Sequence, residues 1–470
     1  MELYGRRTLW SDFDVTDDNV CAVVSQAYMK HLINREEIRY LFDYYKGKQE
    51  IRNKEKKIRE DINHKITENR ANQIVAFKVG YTIGKPIQYI ASVSDETVSN
   101  AMTKLNDLMR SEGKITKDRK LVEWQMICGT GYRLVLPSKK GGRIPFELYT
   151  LNPMNTFVIY KNDYTEAPVA AVSYSVDEHQ NVHSTVYTES TIYSLDGTFE
   201  MKIVGKERNL INRIPIIEYP ANGAKLGAFE VVLPLLDALN DLDSNRMDSV
   251  QQFVESLLVL YNCDLEEDET AEDIREAGMI LLHSTTDNKA DVKVISETLD
   301  QTNTETLKSS MLQAINEIVG LPSQSNGSSS DSSNNGAIVL KNGWQGAETR
   351  AEDFEAIFRE SEQRTLELVS IICERLSDLA FDPTDVDVKF TRRAFEDILS
   401  KSQTLVTLLN APYVHPKSAY EASGLFTDTE EAVQMGIEWN EEKERKAVEI
   451  MERQTSVNEE EDDEEQERTV

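Results

Sequence analysis

Apolar residues recur at steps of three and four through Phe229–Tyr261: Val232, Leu235, Leu236, Leu239, Leu242, Met247, Val250, Phe253, Val254, Leu257 and Leu258. Asp237, Asn240, Asp241, Ser244, Asn245, Asp248, Gln251 and Glu255 fill the other side. This period predicts one amphipathic helix. At 1.5 Å per residue it would be about 45–50 Å long, well beyond the usual three or four turns.

The same reading continues on both sides of that stretch. Residues 1–30 read as a loosely ordered lead-in. Asn34-Arg-Glu-Glu reads as an Asx cap opening a helix with Ile38, Leu41, Phe42 and Tyr45. Helices are predicted from Asn69 to Gly80, over Thr97–Arg110 and over Asp118–Cys128. From Gly129 to about Pro220 the pattern turns to strands: Phe146–Leu151, Thr156–Tyr160, Pro168–Val176, Ser184–Thr188, Thr191–Leu195 and Gly197–Val204. Turn residues separate them at Gly141-Gly142, Asn162-Asp163 and Asp196-Gly197. After the long helix come a short helix at Asp273–Ala277, short strands at Met279–His283 and Val292–Ser296, and a helix over Thr304–Val319. Leu321–Asn335 is a Ser/Asn/Gly stretch with the composition of a mobile loop. A second long helix follows over Ala347–Ala380, stopped by Pro383. A strand at Val386–Thr391 and helices at Ala394–Asn410, Pro416–Ser423 and Glu430–Met451 complete the ordered chain. Glu459–Glu465 is an unbroken acidic run, read as a disordered tail.

At 470 residues, 40% of them hydrophobic, the chain supports two to four cores or one elaborated subunit. Its net charge of −30 argues against tight, sequence-independent grip on duplex DNA, which needs several cations on phosphates. It leaves room for a protein that surrounds DNA without holding it. The basic stretch Lys46–Arg59 reads as a solvated mixed-charge segment rather than a nucleic-acid patch. No apolar run spans a bilayer and no secretion signal opens the chain, so no membrane partner is expected. Cys21, Cys128, Cys263 and Cys373 form no CxxC pair; a reducing compartment fits, and neither zinc nor a disulfide framework is implied.

Catalytic signals are weak. Gly80-Tyr-Thr-Ile-Gly-Lys-Pro has three residues between its glycines rather than four, and proline where a phosphate loop needs Ser or Thr. A helix end and turn describe it better. His179 and His183 lie in a strand-like segment, where positions four apart are over about 10 Å apart, too far for one metal. The acidic cluster Asp264–Glu269 lacks the spacing of a calcium loop and reads as solvated. No nucleophile elbow occurs. No catalytic residue, metal ligand or cofactor is assigned.

The order of parts is more distinctive than any single motif. Asn69-Arg-Ala-Asn-Gln-Ile-Val-Ala-Phe-Lys-Val-Gly-Tyr-Thr-Ile-Gly-Lys-Pro-Ile, Cys128-Gly-Thr-Gly-Tyr, Arg213-Ile-Pro-Ile-Ile-Glu-Tyr, Asn335-Gly-Ala-Ile-Val-Leu-Lys and Val388-Lys-Phe-Thr-Arg follow one another in that order. Over about residues 30–440 the chain thereby resembles the phage portal protein family, in the version of siphophages of Gram-positive hosts. The resemblance implies an α+β subunit with a mixed α/β wing, long stem helices, a small αββ clip and a helical C-terminal crown. Its parts would be the wing (1–228 and 347–394), stem helices (229–262 and 297–322), clip (263–296), tunnel loop (323–346), crown (395–455) and a disordered acidic tail (456–470).

The family further implies a dodecameric ring of identical chains at a capsid vertex, assembled in the host cytoplasm, through which double-stranded DNA enters and leaves. Its partners would be the terminase large subunit, a head-completion adaptor, and the major capsid and scaffold proteins. Lys341, Asn342 and Asn335 would face DNA from the tunnel loop; Asp264, Glu266, Glu267, Asp287 and Asn288 would meet partners from the clip. Lys341 reads equally as a solvated loop lysine. Two other readings stay open: a metal-dependent nucleic-acid-processing enzyme, and a capsid scaffold or adaptor without a channel.

Overall fold

Residues 5–30 are built into the fold rather than leading up to it. In the computed structural model, which describes residues 5–57, 60–93, 95–138, 144–198, 200–254, 257–261, 291–295, 301–322, 343–391, 398–426, 429 and 431–448, β1 (Leu9–Ser11) precedes helix α1 (Val20–Tyr45). One apolar stripe runs the length of α1: Val20, Val24, Ala27, Tyr28, Ile38, Leu41 and Tyr44 are all buried. The expected cap at Asn34 is therefore corrected. Asn34 sits mid-helix, and its side chain accepts from the Arg7 amide at 3.0 Å and donates to the Arg7 carbonyl at 2.8 Å. A short polar side chain that satisfies backbone outside the helix does not have to end it.

Six strands form a sheet in the order β1-β5-β6-β7-β8-β9. They are β5 (Thr156–Lys161), β6 (Pro168–Val176), β7 (Val182–Tyr187), β8 (Thr191–Asp196) and β9 (Lys202–Arg208), with β1 parallel to β5 and the rest an antiparallel meander. The alternating inner residues Phe157, Ile159, Ala170, Val172 and Tyr174 pack on Val20, Val24 and Tyr28 of α1.

The larger core gathers α2 (Arg70–Thr82), α3 (Glu96–Ser111), α4 (Lys114–Cys128) and the sheet β10-β3-β4 (β3 Thr130–Pro137, β4 Phe146–Leu151, β10 Ile216–Pro220). Strand β2 (Gln88–Ala91) pairs antiparallel with β13 (Val386–Lys389), so the chain returns to this body late. Helix α7 (Trp344–Leu376) crosses it, placing Phe354, Phe358, Leu366, Val369 and Ile372 in the same core.

Between these visits the chain makes an excursion. Helix α5 (Leu233–Val254) goes out and α6 (Gln301–Val319) comes back, and β11 (Leu257–Tyr261) pairs antiparallel with β12 (Asp291–Ile295) beyond their ends. Here the expected single helix to Tyr261 is corrected: it stops at Val254, after roughly 33 Å at 1.5 Å per residue. Leu257-Leu-Val-Leu-Tyr is a continuous apolar run, which periodicity cannot assign to helix or strand, and its cross-strand partner decides the matter. Helices α8 (Ile398–Leu409), α9 (Pro416–Ser423) and α10 (431–448) follow. No helix among the described residues is long and apolar enough to cross a membrane.

Candidate functional site: a braced helix pair

Amphipathicity normally leaves a helix's polar side to solvent, but on α5 one stripe of that side is covered, while Asp241 and Asn245 stay exposed. Asn240, Ser244 and Asp248 are buried at 0%, 0% and 4% exposure. The extended segment before α2 runs along them. The amide of His64 donates to Asp248 Oδ1 at 2.7 Å, that of Ile66 to Ser244 Oγ at 3.0 Å, and that of Glu68 to Asn240 Oδ1 at 2.8 Å. Two residues of extended chain advance about 6.6 Å, and four residues of helix about 6 Å. Alternate amides therefore meet every fourth side chain, forming a ladder between a strand-like segment and a helix.

Two lysines of the basic stretch Lys46–Arg59 find a role here. Lys54 Nζ lies 3.1 Å from Asp248 Oδ2 and 2.8 Å from Asn245, and Lys56 Nζ lies 2.5 Å from Asp248. Burial pushes the Asp248 carboxyl up, but hydrogen bonds from Lys56, His64 and Lys54 outweigh it and hold the group well below its usual range. Lys54 and Lys56 fix α5 to the body, whereas Lys46, Lys48, Arg52 and Lys57 are exposed, as the solvated reading expects. Tyr44 adds a hydrogen bond to Asp237 at 2.8 Å.

Ion pairs also close the seam with α6. Lys308 Nζ is 2.9 Å from both Asp243 oxygens and 3.2 Å from Glu68, and Arg246 reaches Glu305 at 2.7 Å. Pairing 243 with 308 and 246 with 305 makes the helices antiparallel. Burial, with Glu68 close by, raises the Asp243 carboxyl above its ordinary value despite Lys308.

The root of α5 is held by close backbone approach. The loop feeding it, residues 221–228, lies flush on the end of α4: Ala228 N donates to Met126 O at 2.7 Å and Ala221 N to Gly129 O at 2.9 Å. Gly129, at φ +81°, admits this contact because a Cβ there would overlap the Lys225 carbonyl. Below the loop, Arg6 bridges Glu37 at 3.2 Å and Glu230 at 2.7 Å, all three buried.

A second buried ionic cluster ties α7 to the sheet and α4. Glu362 accepts from Arg133 Nη1 at 2.9 Å, Tyr89 at 2.6 Å and Tyr219 at 2.8 Å, with Lys114 Nζ at 3.1 Å. Asp118 takes the other sides of Lys114 and Arg133. Four charges with two of each sign, plus phenol donors, offset one another out of water, though Arg133 Nε keeps no hydrogen-bond partner.

None of this is catalytic geometry. Among the described residues no three His, Cys, Asp or Glu side chains could share a metal ion. His183 lies on β7 and pairs with Asp196 at 2.7 Å, which raises its pKa, and with Asp177 at 3.5 Å. Helix α2 runs through Gly80 to Thr82, so no phosphate loop forms there. Burial pushes the Cys128 thiol up to about 12 and the Cys373 thiol up to about 11, away from nucleophilic use. The sites expected from sequence, Asn335, Lys341 and Asn342 in the loop and Asp264, Glu266, Glu267, Asp287 and Asn288 in the insert, lie outside the described residues, as do the expected elements Asp273–Ala277 and Met279–His283.

The family described as "Phage portal protein, SPP1 Gp6-like" matches residues 28–449. No curated protein matches the chain. Among solved structures, the neck of an empty GTA particle computed with C6 symmetry is similar at TM-score 0.41 and 13% identity, over 76% of this chain and 90% of that one. The neck of a native GTA particle computed with C12 symmetry is similar at TM-score 0.40 and 14% identity, over the same shares.

Proposed function

We propose, since this chain belongs to the SPP1 Gp6-like phage portal protein family, that copies of it close into a dodecameric ring whose bore conducts double-stranded DNA into and out of the capsid. Portal proteins are structural rather than enzymatic, and they are part of the virion at the capsid vertex. A metal-dependent processing enzyme is thereby set aside. The observation that carries the ring reading further is the α5–α6 pair, an antiparallel excursion braced at its root by the Asn240–Ser244–Asp248 ladder. Such a pair suits the stem of a pore. The insert between its helices, including β11 and β12, suits the clip that would meet the terminase large subunit and then a head-completion adaptor. The N-terminal body with α7 would be the wing, and the helices after residue 397 the crown. Contacts with major capsid and scaffold proteins, and assembly in the host cytoplasm before incorporation, belong to the same proposal.

Charge fits conduction. Phosphate contacts multiply, so a strongly basic bore would hold DNA rather than pass it. With 82 acidic against 52 basic residues, the chain disfavours such holding. Lys341, flanked by Asn335 and Asn342, would give each subunit a single light contact on the backbone. The test is removal of residues 323–334. Ring assembly should persist while DNA packaged or retained per particle falls; loss of assembly would show the stretch to be structural and would contradict its role at the DNA.

A further inference from the structure

Among the described residues, the buried cations have carboxylate partners: Arg6 has Glu37 and Glu230, and Lys114 and Arg133 have Asp118 and Glu362; the half-buried Lys225 likewise has Glu218. Lys78, also half-buried, does not follow that pattern. It lines a cavity of about 250 Å³ with Phe77 and Tyr81 of α2, Gly320 at the end of α6, and Arg350 and Phe354 of α7. Its ammonium meets no hydrogen-bond acceptor or carboxylate among the described residues. Arg350, on the same wall, donates only to the Glu317 carbonyl, at 3.3 Å, and forms no ion pair among the described residues. Asp353 on the rim pairs with neither cation, and Glu348 accepts from Tyr81 at 2.5 Å. Two cations, the half-buried Lys78 and the exposed Arg350, thus line one cavity with no anion between them among the described residues. Burial first, and Arg350 second, lower the Lys78 amine to about 8. For Lys78, an unpaired charge partly withdrawn from water is unfavourable until an opposite charge arrives.

The wall beside the cations is aromatic. Phe77 stacks on Tyr81 with centroids 5.6 Å apart, and Trp344 leans on both. The site therefore offers two donors for an oxyanion and an apolar surface for the stem that carries it. Phosphate needs no such stem, whereas a glutamate or aspartate on a protein segment brings one. The chain itself carries 30 more acidic than basic residues, so a neighbouring copy is the carboxylate source of best complementarity.

We propose that this cleft is a socket in which Lys78 and Arg350 receive an acidic side chain from a second copy of the chain. The inference rests on the ring reading above. It adds a named contact that would lock one subunit on the next.

The test compares the assembled full-length chain with subunits dissociated by dilution. In the first arm, an amine-selective acylating reagent at pH 8 is followed by peptide mass spectrometry. Lys78 should be labelled about tenfold more slowly in the assembly than in free subunits. In the second arm, Lys78→Gln should raise the concentration for half-assembly by about tenfold, the scale of one charge-assisted contact per interface. Lys78→Arg should restore most of the loss, and Arg350→Gln should behave like Lys78→Gln. Equal labelling in the two states, or wild-type assembly by Lys78→Gln, overturns the socket while leaving the ring intact. A wild-type chain that never assembles overturns the ring reading and the socket together. Protection of Lys78 in free subunits by millimolar acetate or phosphate, with no further protection on assembly, assigns the cleft to small anions and overturns the proposal. If Lys78→Gln also melts early, the labelling arm decides.

Discussion

Glu362→Ala is expected to destabilise the subunit by about 3–5 kcal/mol, because it strands Arg133 and Lys114 in the core without a counter-charge. Arg133 and Glu362 are 0% exposed and Lys114 4%, so water cannot replace the lost carboxylate without opening the core. Tyr89 and Tyr219 lose their acceptor in the same step. Glu362→Gln keeps one oxygen as acceptor and should cost less than alanine. Urea unfolding of dissociated subunits measures both. The acid side is also predictable. Burial pushes the Glu362 carboxyl up, but Lys114 and Arg133, with the two phenols, pull it down to about 2 from an ordinary 4.5. A depressed folded-state pKa contributes stability above the unfolded value and loses it as pH falls through the window between them. Wild type should therefore weaken from about pH 4.5 downward, with Asp248, held low by its lysines, adding to the same loss. Glu362→Gln should weaken less steeply there. An acid profile identical to wild type would show that Glu362 is not ionised in the fold.

Gly129→Val is expected to cost at least about 3 kcal/mol: ~1–2 kcal/mol for a side chain held at positive φ and the rest for backbone pushed out of contact. The displaced backbone is the 221–228 loop that seats α5, so the damage should spread from α4 to the root of the helix pair. Hydrogen exchange should rise at Ala221 and Ala228, whose amides bond to Gly129 and Met126. Gly113 supplies the control. It also has positive φ, at +68°, but nothing lies within 4 Å of a Cβ placed there. Gly113→Val should cost only the ~1–2 kcal/mol of a side chain held at positive φ. Equal losses at the two glycines would refute the close-approach account.

The chain's periodicities are enough to place most helices and strands, because each buries one face and the faces show in the spacing. Pro416–Ser423 and Pro168–Val176 coincide with their elements to the residue. What spacing does not carry is the identity of the covering partner. The polar side of α5 reads as an ordinary second face, yet its Asn240–Ser244–Asp248 stripe is buried, because its partner is backbone amide from 64–68, which has no side-chain signature. The lysines at 54 and 56 read as solvated for the same reason: Asp248 lies about two hundred positions away. Arg133 and Glu362 are separated by 229 positions, and nothing local marks either as half of a buried pair. At the N-terminus, Val20, Val24 and Tyr28 carry the right spacing, but Asn34 resembles a cap strongly enough to cut the helix in two. Family membership, by contrast, is carried by the order of short motifs, and the match over 28–449 agrees with a likeness read over about 30–440.

The central claim is that this chain closes on itself. Mass photometry of the purified full-length protein at micromolar concentration, with negative-stain micrographs of the same sample, tests it most directly. The account predicts closed rings many times the mass of the 53.5 kDa chain. A stable monomer, with no ring in the micrographs, would contradict it.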